Sequence, residues 1–107
     1  MSNPIDDDHM HASKIFQENS EDTMESYKDW KNAIRDNVDF DDKTRELLGL
    51  AAAAAVQCQY CVHTHGQKAL KHGATDKEVS DVIQIASQVK AGATMSYGIG
   101  ALEHSEE

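Results

Sequence analysis

Apolar residues along this 107-residue chain recur at steps of three and four, and no run alternates apolar and polar positions at a period of two. That is the period of helices rather than strands, and proline is absent after position 4. Met24, Tyr27, Trp30 and Ile34 fall at helical steps, and Asp22 with Glu25 has the spacing of a capping box, which predicts a helix running to about Asp36. "NVDFDD" (37–42) then reads as a turn, with Asp41 or Asp42 as the next N-cap. A second helix is expected from about Lys43 to Gln57. It begins polar and ends apolar on every side, in "LLGLAAAAAV" (47–56), so it needs to be enclosed. A third helix should carry "CQYCVHTH" (58–65) and stop at Gly73, where glycine suits a left-handed cap. Thr75 and Glu78 form another capping box, followed by one stripe of Val79, Val82, Ile83, Ala86 and Val89. The last segment, "AGATMSYGIGALEH" (91–104), is helical but rich in small residues that let another backbone approach.

The predicted fold is therefore all-α: one domain of five or six short helices over residues 13–107, behind an N-terminal tail of residues 1–12. Ile85 lies off the main stripe, and the alanine run is too apolar for a chain of this size to cover. A homo-oligomer would supply the missing cover.

Charge narrows the partners. The formal net charge is −9, and −7 of it falls up to Glu46, with thirteen acidic residues against six basic ones. No basic stripe is available for a phosphate backbone, so nucleic acid is not an expected partner. The longest apolar run is about half of what a bilayer requires, and no charged start leads into an apolar leader. A soluble, cytoplasmic protein without a membrane partner is expected. Thiols in that compartment are kept reduced, so two close cysteines point to redox chemistry or metal binding rather than to a structural staple.

Both cysteines of the chain lie in the 58–65 stretch. On one helix, steps of three and four would bring Cys58, Cys61 and His65 onto one face. His63 points away from that face, and His72 lies about two turns beyond His65. One chemistry is a dithiol that cycles to a disulfide. A CxxC pair at a helix start sits near unsatisfied N–H groups that favour thiolate, and a histidine one turn on can take the thiol proton. A second chemistry is a metal site using Cys58, Cys61 and His65. It ranks lower, because structural zinc takes four ligands and the strong signatures pair two such knuckles. The third alternative is a pair of buried cysteines acting as small hydrophobes.

Glu46, then Cys58, Gln59, Tyr60, Cys61 and His65, followed by "ALKHGATDKEVSD" (69–81), resemble the carboxymuconolactone decarboxylase superfamily in its alkylhydroperoxidase D-like branch. That branch carries a glutamate twelve residues before CxxC and a histidine four after it. The resemblance runs from about Phe40 to Val89. It implies an all-α domain assembling into trimers or hexamers, with sites near subunit contacts. It also implies a thiol-dependent peroxidase or disulfide reductase: Cys61 attacks the peroxide, His65 and (through water) Glu46 relay its proton, and Cys58 resolves. The substrate would be a peroxide or disulfide, and the reductant a lipoyl group, a thioredoxin-like protein or a small thiol, with no cofactor and no resident metal. Tyr60 stands where some members carry a histidine and reads as packing. Decarboxylases of the superfamily generally lack the cysteine pair, which argues against lactone decarboxylation here; a metal-binding module and a non-redox decarboxylase-like protein are the alternatives. Glu46 has its own alternative as a solvated acid in the first turn of a helix.

Overall fold

The computed structural model describes residues 6–104, which form five α-helices and a short 3-10 turn, with no strand among them. Contacts divide the chain after Phe40 into two compact units.

In the first unit, α1 spans Asp7–Glu18 and α2 spans Glu21–Asn37. Asp6 caps α1 by accepting the His9 N–H at 2.8 Å, and Asp7 and Asp8 lie in the first turn, where acids complement the helix dipole. The stretch expected to be a tail, residues 1–12, is therefore helical from Asp7 onward, because it carries its own start signal. Residues 1–5 lie outside the described part. The Asp22–Glu25 capping box does not form. A capping box needs its first residue just outside the helix, and Asp22 already lies inside α2, whose N-cap is Ser20. Met24 is half-buried, while Tyr27, Trp30 and Ile34 are exposed.

The second unit holds α3 (Asp42–Ala55), α4 (Gln59–Lys71) and α5 (Asp76–Ile99), which passes into the 3-10 turn Gly100–Leu102. Asp41 caps α3 by accepting the Thr44 N–H at 2.7 Å, and hydrogen bonding from Thr44 holds its carboxyl below the usual range. Asp42 lies beside His72 and Glu46 beside His65, so α3 and α4 run antiparallel. Lys43 at the start of α3 pairs with Glu78 at the start of α5, and Lys90 donates to the Ala55 carbonyl at the far end. These ties make α3 and α5 parallel. The Thr75–Glu78 capping box is complete in both directions, and its Thr75 N–H, with Lys43 second, holds the Glu78 carboxyl below its ordinary value.

Both ends of the α3–α4 pair close by the same device. After α4, Gly73 takes φ +94°, with the Ala74 N–H on the Ala69 carbonyl and the Gly73 N–H on that of Leu70. After α3, the left-handed position (φ 60°) falls to Gln57, with the Cys58 N–H on Ala53 and the Gln57 N–H on Ala54. Both are Schellman closures. The first is relaxed because glycine has no Cβ; holding glutamine there costs on the order of 1–2 kcal/mol. The return is large for the site: a turn of only two residues, Val56 and Gln57, separates the end of α3 from the cap of α4.

The core is small. Leu50, Ala53, Ala69, Ala74 and Ala86 are buried, and Leu50 is the one large side chain among them. The enclosure expected for the helix over 43–57 is not found among the described residues, since Leu48 on α3 and Val56 just after it are exposed. The α5 stripe divides in the same way: Val79 and Val82 are half-buried and Ala86 is buried, but Ile83 and Val89 are open. Gly92 and Gly98 do not break α5, which continues with Met95, Tyr97 and Ile99 exposed. No helix among the described residues is long and apolar enough to cross a membrane.

Candidate active site

The cysteine motif straddles the start of α4. Cys58 is not inside the helix, as a shared helical face would require, but is its N-cap, with extended backbone at φ −95° and ψ 102°. Its Sγ accepts the Cys61 N–H at 3.2 Å, taking the place of the usual capping oxygen. This position follows from the Gln57 turn, which ends α3 and delivers Cys58 to the head of α4. Cys61, one turn inside, is bonded to Cys58 in a disulfide with Cα atoms 5.3 Å apart. Cys61 is exposed and Cys58 half-buried. No acid lies in the first turn of α4 to oppose a thiolate at this helix end.

His65 follows Cys61 by four residues on α4, on the same side. Its Nδ1 lies 2.8 Å from Oε2 of Glu46 on α3. The contact between these two groups is direct, and α3 comes close to the imidazole at Gly49. Glu46 is 6% exposed, which removes its reading as a solvated acid. It is a buried carboxylate whose oxygens face His65 on one side and, at 3.8 Å, the Arg45 guanidinium on the other. A carboxylate in that setting orients an imidazole and stabilises it once it has accepted a proton. His63 is exposed, and His72 stands 4.0 Å from Asp42, away from this contact. Tyr60 is partly exposed beside the pair.

The four residues singled out from sequence thus form two pairs, Cys58–Cys61 and His65–Glu46, on two packed helices. Among the described residues, no three His, Cys, Asp or Glu side chains are grouped as a metal ion would need. Three further residues shape the site: Arg45 beside Glu46, Gln57 in its left-handed turn, and Gly49 under the imidazole. Only Gly49 left a trace in the sequence, a glycine within a run of leucine and alanine where helix propensity argues against it.

The chain belongs to the carboxymuconolactone decarboxylase family, whose description matches residues 21–104. It is similar to a Paracoccus denitrificans protein described as "uncharacterized protein 4 in cox locus", with 31% identity over 67 residues. That match covers 63% of this chain and 60% of the relative, so less than two thirds of the Paracoccus protein is represented here. A Haemophilus influenzae protein is 33% identical over 80 residues, covering 75% of this chain and 71% of its own length. Among solved structures, a protein from Methanobacterium thermoautotrophicum superposes with a TM-score of 0.77 at 25% identity, over 85% of this chain and 99% of that one.

Proposed function

We propose that this protein is a thiol-dependent oxidoreductase of the alkylhydroperoxidase D-like kind, reducing a peroxide or a disulfide through a Cys58–Cys61 dithiol/disulfide cycle. The observation that carries the reading is the cysteine pair across the head of α4, one turn ahead of a histidine bonded to a buried carboxylate. With Nδ1 engaged by Glu46, the Nε2 of His65 takes the Cys61 thiol proton. The thiolate attacks one peroxide oxygen, the O–O bond breaks, and the departing oxygen leaves as an alcohol or water with that proton. Cys61 is then a sulfenic acid. Cys58 attacks its sulfur, the S–O bond breaks, water leaves, and the disulfide forms. Two electrons have passed to the peroxide. A lipoyl group, a thioredoxin-like protein or a small thiol returns them by thiol–disulfide exchange through a mixed disulfide.

Reduced protein treated with peroxide should lose both free thiols, its mass falling by two hydrogens with no oxygen added. If both thiols stayed titratable while a stoichiometric metal was bound, the metal-binding reading would replace this one.

The homo-oligomer belongs to the same proposal, as a trimer or hexamer. Its support is the open apolar surface of Leu48 on α3, of Val56 at its C-cap, and of Ile85, Val89, Met95 and Ile99 on α5. Light scattering at micromolar concentration should report a multiple of 11.8 kDa, and a monomer mass would remove the idea.

A further inference from the structure

We infer that Gly49 is a positioning residue: the lack of a side chain there lets His65 bond Glu46 directly, and so sets the efficiency of the proton relay. The activity arm of this inference rests on the oxidoreductase reading; its geometric arm does not.

Gly49 lies within α3, three residues beyond Glu46 and on the same side of the helix. Its neighbours are leucine and alanine, and a glycine there weakens the helix relative to alanine. A methyl group built at this position would stand 2.7 Å from His65 Nδ1, 2.8 Å from Cε1 and 3.0 Å from Cγ. Unbonded heavy atoms rest at roughly 3.5–4.0 Å. The ring, at the end of a side chain free to rotate, would therefore swing away. Its Nδ1, the atom nearest the methyl, is the same atom that lies 2.8 Å from the carboxylate. The other helical glycines behave differently: a methyl at Gly66, Gly92 or Gly98 meets nothing within 4 Å. Only at Gly49 does the unfavourable choice of glycine coincide with a close approach, and the group approached is the relay histidine.

The test is Gly49→Ala, read by imidazole nitrogen resonances of histidine-labelled protein and by peroxide turnover across pH. The His65 Nδ1 resonance should move toward that of a solvent-exposed histidine. The kcat/KM should fall about tenfold at neutral pH, less than the roughly 10²–10⁴-fold of a lost general base because the imidazole itself remains. In a Glu46→Ala background, where the partner of His65 Nδ1 is already gone, the same substitution should add no further loss. Gly92→Ala, which meets no neighbour, should leave the His65 resonance unchanged. A folded Gly49→Ala protein with wild-type His65 resonances, or losses that add to those of Glu46→Ala, would overturn the inference. Were Gly49→Ala unstable, the double variant with His65→Ala should recover stability, since the clash is with the ring; failure to recover would equally overturn it. If the wild-type chain reduced neither peroxide nor disulfide, the function reading would fall, and the resonance arm would still decide the role of Gly49.

Discussion

Cys61→Ser is expected to abolish peroxide turnover, and Cys58→Ser to stop it after a single event. The two substitutions look alike in sequence, but their places in the fold differ. Cys61 is the exposed residue of the pair, one turn inside α4, with His65 on the next turn. Cys58 is the half-buried cap, whose sulfur is held by the Cys61 N–H. An attacking thiol must be reachable from outside; a resolving thiol must reach only its neighbour. The chain has no third cysteine, so without Cys58 a sulfenic acid on Cys61 has no partner within the chain. Cys58→Ser should therefore gain one oxygen on its first exposure to peroxide and then further oxygens as it over-oxidises. Cys61→Ser should gain none. Mass spectrometry after a short peroxide pulse distinguishes the two. If the single oxygen appeared on Cys58 in the Cys61→Ser protein, the roles assigned to the two sulfurs would have to be exchanged.

The second large effect is expected at Glu46. Glutamine in its place keeps the size and can still hydrogen-bond to His65 Nδ1, so α3 and α4 should pack as before. The negative charge beside the imidazole is lost, and with it the stabilisation of a ring that has taken the thiol proton. A free thiol ionises at about pH 8.5, so assistance matters most below that value. The kcat/KM of Glu46→Gln should fall by roughly 10–100-fold near pH 7, and the gap to wild type should close as pH rises past the thiol's own ionisation. Thiol alkylation rates measured from pH 6 to 10, without any peroxide, would report the same trend at Cys61. Equal alkylation and turnover profiles in the two proteins would confine Glu46 to a structural role in the α3–α4 contact.

Much of this protein follows from the sequence because it rests on local rules. The Thr75–Glu78 box, the Asp41 cap and the left-handed Gly73 each depend on residues within one turn of each other, and each is found where spacing put it. The all-helical fold likewise follows from apolar steps of three and four. Local rules also compete, which is how Asp22 and Glu25, correctly spaced for a box, lost to a start at Ser20. The site divides along the same line. Spacing alone put Cys58, Cys61 and His65 on or at the head of one helix. The partnership of His65 with Glu46 spans nineteen residues and two helices. What made that contact direct was decided in three dimensions: a two-residue turn through a left-handed Gln57 folds α4 back along α3, and at Gly49 the two helices meet without a side chain between them. A sequence records that a glycine is present; only the packed structure supplies the imidazole that needs the space.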